Sequence, residues 1–168
     1  MGPAFWAASS VNAQSAGPKK GLTFQAVPSG NNGSSTNTAL ASCGQTHAGS
    51  WQCDPIIGDT VCSEALPLLC ILDIDAPVPT LLDRTRYWSG GVLAKSDPVR
   101  GSDLPTIRQA HAFCTRTFGP GWRVASYHDG GGSMIEGYGM LLNGETNPAQ
   151  SNMWLDIKNK PEATCWGR

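Results

Sequence analysis

The spacing of apolar residues predicts one well-defined helix over 105–118. Apolar side chains recur there at steps of three and four, which places them on one helical face: Ile107, Ala110, Cys114 and Phe118. Ser102 and Asp103 are candidates for the N-terminal cap, and Pro105 is well tolerated in a first turn. Gly119, which a proline follows, ends the helix because glycine accepts a left-handed backbone and proline cannot continue the hydrogen bonding.

Shorter hydrophobic patterns on both sides of this helix predict strands. The apolar run at 65–74 is typical of a strand that is buried on both faces. The segment 86–96 contains a Gly-Gly pair and predicts a hairpin or a kinked strand. After the helix, 121–127 predicts a strand, and the alternation in 153–157 indicates a half-buried strand. The Gly- and Asn-rich segment 129–152 between them predicts mostly loop, with a weak strand signal in "MIEGYGMLL".

The first quarter of the chain has a different composition. Residues 1–40 predict a disordered tail or linker, because 28–42 has almost no hydrophobic content to offset the entropy of ordering. Within this tail, 21–27 fits one short strand. The small residues at 11–13 look like a cleavage site without a positively charged segment before it, so a truncated signal peptide and a plain tail both remain open. The pattern predicts a single domain over 41–168 that begins with a cysteine-rich entry segment.

The cysteines indicate the compartment. Their number is even and no Cys-x-x-Cys pair occurs, which argues against a zinc ribbon or a thioredoxin-type redox centre. The pattern favours three disulfides formed in an oxidising compartment, and the alternative is a set of buried thiols in a cytosolic protein. We therefore expect a secreted, extracellular or cell-surface protein. The six residues are Cys43, Cys53, Cys62, Cys70, Cys114 and Cys165.

The overall charge and hydropathy do not point to nucleic acid or membrane as a partner. The 168 residues carry a net charge of −1, so the overall charge does not indicate nucleic acid or an anionic membrane as a partner. No apolar run reaches the ~20 residues that a membrane-spanning helix needs. Only 15% of the residues are charged, while small and polar residues are plentiful, which is typical of a loop-rich extracellular module.

Four motifs in this order resemble the C-type-lectin-like domain. They are the helix "QAHAFCTRTFG", the strand and turn "GWRVASYHDG", the late strand "MWLDI" and the terminal "ATCW", and together they cover about residues 85–168. The block is also similar to small secreted bacterial proteins of unknown function with a "GWR-A-HDG … CW" pattern. The resemblance implies an α+β fold in which one main helix packs on short antiparallel strands, loop-rich and disulfide-stapled.

The resemblance also implies one disulfide and bears on calcium. It pairs Cys114 on the helix with Cys165 in the last strand. The remaining four cysteines would then pair among themselves in one of three ways, which the sequence leaves open. Calcium-dependent members use a Glu-Pro-Asn or Gln-Pro-Asp loop followed by Trp-Asn-Asp, and "GETNPAQSNMWLD" does not reproduce it. We therefore expect no cofactor and no metal, since the motif does not support calcium.

Candidate chemistry around the helix has two interpretations. Cys114 and His111 lie three residues apart on one helix, so a thiol nucleophile with an imidazole base is conceivable, with His128 and Asp129 as orienting groups. We favour the disulfide, because Cys114 lies on the apolar stripe. The "HDGGGS" segment likewise fits an active-site loop or a turn, and we favour a turn in which Asp129 accepts backbone hydrogen bonds.

Trp154 is the candidate aromatic contact. Alternation places it opposite its apolar neighbours, on the same face as Asp156. An exposed ring at this position would stack on a sugar or contact a protein, and a buried ring would pack beneath the 129–152 loop. The sequence leaves both interpretations open.

Together these patterns predict a non-catalytic binding and adhesion module for a glycan or an extracellular protein, using the 128–154 face. The alternatives are a self-associating subunit of an extracellular appendage or envelope layer, and a hydrolase that uses Cys114 or carboxylates such as Glu145 and Asp156. The predicted ligand-binding residues are His128, Asp129, Glu136, Asn152 and Trp154.

Overall fold

The computed structural model describes residues 17–27, 37–44, 52–80, 85–141 and 152–168. Nine strands and one α-helix lie within these ranges. In chain order they are β1 Lys20–Gly21, β2 Thr23–Val27, β3 Thr38–Ser42, β4 Thr60–Val61, β5 Ala65–Asp73, β6 Trp88–Arg100, α1 Ile107–Phe118, β7 Trp122–Val124, β8 Met134–Met140 and β9 Asn152–Trp154.

Six strands close into a barrel. Their hydrogen-bonded order is β6-β8-β3-β2-β9-β5, and the ring closes because β5 also pairs with β6. The β6–β8 and β5–β9 junctions are parallel and the other four are antiparallel. β7 lies outside the ring and pairs with β5. Closure pairs each of the six strands on both sides over part of its length.

The predicted α+β, C-type-lectin-like fold is therefore wrong. The protein is mostly β, with a closed barrel and one helix. Hydrophobic periodicity located the helix and most strands, but it does not report which strands pair. The same order of motifs is compatible with short strands packed on a helix and with strands that close into a ring.

Residues 20–27 and 38–40 contain strand residues, whereas the sequence predicted a disordered tail over 1–40. Leu22 and Phe24 are both 0% exposed and point into the barrel, where they pack with the inward residues of the other strands. The short strand expected at 21–27 is therefore one of the barrel strands. Three alternating apolar residues are enough to fill one side of the interior of a narrow barrel. The cleavage-like residues at 11–13 lie outside the described residues.

β5 shows why the core has two parts. Its side chains alternate, so that Leu69 and Ile71 enter the barrel while Leu68 and Cys70 face outwards, and all four are fully buried. The outward pair is covered by α1, which confirms the predicted burial on both faces. The second core lies between the barrel and the helix.

The helix begins at Ile107, two residues after the predicted start at 105. Thr106 is the N-cap: its hydroxyl accepts from Gln109 N at 3.3 Å, and Gln109 Oε1 accepts from Thr106 N at 3.0 Å. Ser102 and Asp103 belong instead to a separate 3₁₀ turn. Gly119 ends the helix with φ of 110°, a backbone conformation that favours glycine, as predicted.

All six cysteines form disulfides, which confirms the predicted number of bridges. The predicted Cys114–Cys165 pair is wrong, because α1 lies over the outward Cys70, while the C-terminal segment runs beside Cys62. The bridges are Cys43–Cys53, Cys62–Cys165 and Cys70–Cys114. Three disulfides are consistent with an oxidising, extracellular environment. In the described part of the chain, no helix is long and apolar enough to cross a membrane.

Candidate functional site

A polar cavity of about 160 Å³ lies on the outward face of β2 and β9. The segment from Gln52 to Thr60 forms its other wall. The Cys43–Cys53 disulfide contributes the apolar part of the lining. The polar side chains are Thr23, Gln25, Gln52, Asp59, Thr60 and Asn152.

The local sequence explains how these side chains meet. In β2, Phe24 enters the core, so its neighbours Thr23 and Gln25 face outwards. The antiparallel register places Asn152 of β9 opposite Gln25. The Cys43–Cys53 bridge then holds the segment that begins with Gln52 against the barrel.

Gly44 leaves room for the two glutamines of the cavity. It has φ of 74°, and a Cβ built on it would lie 2.8 Å from Gln52 Oε1 and 3.0 Å from Gln25 Oε1. Any side chain at this position would displace both amides, so glycine is required here by backbone conformation and by space.

The carboxylate of Asp59 is engaged in hydrogen bonds within the cavity wall. Its Oδ1 accepts from the hydroxyls of Thr23 and Thr60, at 2.5 and 2.6 Å. Its Oδ2 accepts from the backbone N–H groups of Thr23 and Asp54, at 3.0 and 3.2 Å. Four donors therefore compensate this carboxylate, and the described residues contain no cluster of His, Cys, Asp or Glu that could hold a metal ion.

The three carboxamides supply the remaining hydrogen-bonding capacity. Gln25 Nε2 donates to Gln52 Oε1 at 2.6 Å. The Nε2 group of Gln52 takes no part in this hydrogen bond. Asn152 Oδ1 is buried and has no hydrogen-bond partner among the described residues. A buried acceptor without a donor costs about 1–3 kcal/mol, so this oxygen indicates a place for a water or ligand donor.

The structure does not gather the five predicted ligand-binding residues into one site. Asn152 lines the cavity. His128 is exposed, and its ring contacts Tyr127 edge-on with centroids 5.6 Å apart. Glu136 is 2% exposed and accepts from the Thr38 hydroxyl at 3.3 Å.

Asp129 lies in a structural ion-pair network. Its two oxygens accept from Arg123 at 2.8 and 2.9 Å, and Oδ2 also accepts from Ser126 N at 2.7 Å. Burial by itself lowers the pKa of Arg123, but its hydrogen bonds to Asp129 and Asp73 outweigh burial and raise that pKa above its ordinary value. The favoured interpretation of "HDGGGS" as a turn in which Asp129 accepts a backbone hydrogen bond is confirmed.

Trp154 faces outwards from β9, as the alternation predicts, but it is not available to a ligand. It is 1% exposed, because α1 and the C-terminal segment cover this side of the barrel. Its Nε1 donates to Val99 O at 3.2 Å. The indole is therefore part of the second core, so the interpretation with an exposed ring is wrong.

The hydrolase alternatives find little support in the same geometry. Cys114 is bonded to Cys70, so it provides no thiol nucleophile. Asp129 is held by Arg123, and Asp156 is held by Arg168 through two bonds of 3.0 and 3.1 Å. Glu145 lies outside the described residues.

Most of the cavity residues were missed at the level of sequence. The signal for Thr23 and Gln25 was present as the polar positions of an alternating strand in "LTFQAV". No comparable signal existed for Gln52, Asp59 and Thr60, because their position depends on disulfide pairings that sequence alone does not determine.

Comparisons with known proteins add no assignment. No protein-family model matches the chain, and neither the curated proteins nor the solved structures contain a match.

His111 on α1 responds to pH for a structural reason. Its Nδ1 accepts from Val124 N at 3.3 Å, which requires the neutral ring. Burial lowers the pKa of His111; Asp156 opposes this shift, and nearby cations, Arg123 foremost, add to it.

We expect stability to fall as pH is lowered through 6.5, because there the unfolded His111 takes up a proton that the folded ring resists. His111 contributes at most about 1.4 kcal/mol per pH unit to the pH dependence of the free energy of unfolding. This contribution stops growing once the pH is below the lowered pKa of the folded state. Guanidinium unfolding between neutral and mildly acidic pH measures it. In His111→Gln the acid-dependent loss should be smaller than in the wild type, and an unchanged loss would assign it to other groups.

Proposed function

We propose that this protein is a secreted, non-catalytic binding module that holds a neutral, hydroxyl-rich ligand in the polar cavity, such as one sugar ring of a glycan. The observation that carries this proposal is a cavity lined by three carboxamides and two threonines, one of which carboxamides, Asn152, has a buried Oδ1 without a hydrogen-bond partner among the described residues.

The chemistry of the lining favours a neutral ligand. Asp59 is the one charged side chain among the described residues that line the cavity, and four protein donors already compensate it. Carboxamides and hydroxyls each donate and accept, which matches vicinal hydroxyl groups. The Cys43–Cys53 disulfide offers a small apolar surface for the C–H side of such a ring.

The size of the cavity limits the ligand. A volume of about 160 Å³ equals about five waters at ~30 Å³ each. This is room for a single ring, and it is below the 300–1,000 Å³ typical of pockets that enclose larger ligands, given as rough bounds. A glycan would therefore be bound through one residue, with modest affinity and with the rest of the glycan outside the cavity.

The binding experiment uses Asn152→Leu, which removes the amide and keeps a similar volume. Isothermal titration with a panel of glucose, mannose, galactose and N-acetylglucosamine, in calcium and in EDTA, should show binding of at least one sugar by the wild type. We expect about tenfold weaker binding by Asn152→Leu, because one hydrogen bond is lost. EDTA should have no effect, since no metal cluster lies in the described residues.

His128→Ala is the matched control, because His128 is exposed and does not line the cavity. Its affinity should equal that of the wild type. Binding that is lost in His128→Ala and kept in Asn152→Leu would move the site to the turn at 128–133. Binding of no sugar in the panel would contradict the proposal.

A further inference from the structure

The loop that forms one wall of the cavity carries two exposed isoleucines at its tip. Ile56 is 61% exposed and Ile57 is 59% exposed, the highest values among the large hydrophobic residues described as exposed. They are consecutive, and they lie between Asp54 and Gly58. Such a pair of branched side chains in water is unfavourable unless it serves a contact.

The backbone of this tip is already satisfied. Asp54 Oδ1 accepts from the N–H groups of Ile56 and Ile57, at 2.9 and 3.1 Å. Asp54 O accepts from Gly58 N at 2.9 Å, and Pro55 has no N–H to satisfy. The donors of the tip therefore need no water.

The base of the loop is fixed. Asp59 N donates to Gly21 O at 3.1 Å, and the Cys43–Cys53 bridge holds the start of the loop. Gly58 has φ of 80°, and a Cβ there would lie 2.7 Å from the Lys20 carbonyl carbon, so the loop packs closely on the backbone of β1. The tip is thus held in one conformation before any contact is made, which lowers the entropy lost on binding.

Two lysines lie beside the base of the loop. Lys19 and Lys20 are both exposed, and their backbone borders the loop at Gly58 and at Cys62, whose N–H donates to Lys19 O at 2.9 Å. The carboxylates of Asp54 and Asp59 are engaged by hydrogen bonds within the loop and its base. Asp54 and Asp59 are half-buried and keep their charge, whereas Lys19 and Lys20 are exposed.

We infer that the Ile56–Ile57 tip inserts into the surface of a membrane that contains anionic lipid. The N–H donors of this tip are satisfied within the loop, which lowers the cost of placing it at the boundary between headgroups and acyl chains. Two consecutive side chains on a turn point in different directions, which suits a fluid apolar layer better than a pocket shaped for one of them. Lys19 and Lys20 would then lie at the level of anionic headgroups.

The test is co-sedimentation of the full chain with sucrose-loaded vesicles at low salt. One set is phosphatidylcholine mixed with phosphatidylglycerol, and the other is phosphatidylcholine alone. We expect binding to the mixed vesicles and weaker binding to the neutral ones, and raised salt should weaken only the binding to the mixed vesicles. The double substitution Ile56→Asn with Ile57→Asn should reduce the partition coefficient more than about tenfold.

The matched control is Ile74→Asn with Val78→Asn, which removes two other exposed apolar side chains of a different segment. It should bind vesicles as the wild type does. Circular dichroism and sugar titration of both double variants verify that the fold and the cavity are intact. The inference is overturned if the wild type binds neither vesicle type, if binding survives the tip substitutions, or if the tip instead mediates a dimer seen by light scattering.

Discussion

Replacing Cys62 and Cys165 together by alanine is expected to lower the free energy of unfolding by about 5 kcal/mol. The two cysteines are 103 residues apart, and a cross-link that closes so long a loop removes much entropy from the unfolded chain. A loss of this size is comparable with the total stability of many domains, so the variant should be largely unfolded at physiological temperature. Guanidinium unfolding followed by circular dichroism measures the loss.

The double substitution Cys43→Ala with Cys53→Ala is the control for this prediction. It opens a bridge whose ends are only 10 residues apart, for which the same entropy argument gives about 3 kcal/mol. Non-reducing peptide mapping should verify that the other two bridges persist in each variant. Equal losses in the two double variants would show that loop length does not determine the stabilisation.

Trp154→Ala is expected to destabilise the protein by about 3–5 kcal/mol, because it empties a large volume between the barrel and α1. The indole is 1% exposed, and the variant also leaves the Val99 carbonyl without its donor. Chemical unfolding measures the loss, and Trp154→Phe gives a milder variant if the alanine form does not fold.

Trp122→Ala provides the comparison, since Trp122 is only half-buried beside Phe118. It should destabilise the protein clearly less than Trp154→Ala. A Trp154→Ala variant with wild-type stability and weakened sugar binding would return this residue to the role of an exposed stacking platform.

The sequence predicted local structure well and global pairing poorly. The helix and the doubly buried β5 follow from periodicity and from residues such as Gly119, which act within a few positions of themselves. The barrel depends on contacts such as those of β2 with β9, which join segments more than a hundred residues apart. A single sequence contains the faces of these strands but not their partners.

In the candidate site, too, local features could be predicted from the sequence and long-range contacts could not. The outward polarity of Thr23 and Gln25 can be read from the alternation of β2, whereas their meeting with Gln52 requires the Cys43–Cys53 bridge. Trp154 illustrates the opposite error. Its direction was predictable, but its burial depends on what covers that face of the barrel, and this is a property of the tertiary fold.

Because β2 pairs with β9, closure of the barrel requires a segment near each end of the chain. β9 lies between β2 and β5, so the barrel cannot complete until the chain has been synthesised beyond residue 154. A chain with such distant pairings is expected to fold slowly, in a single late step. In an oxidising compartment, the segments that pair with β9 would remain accessible to disulfide-forming enzymes until the ring closes.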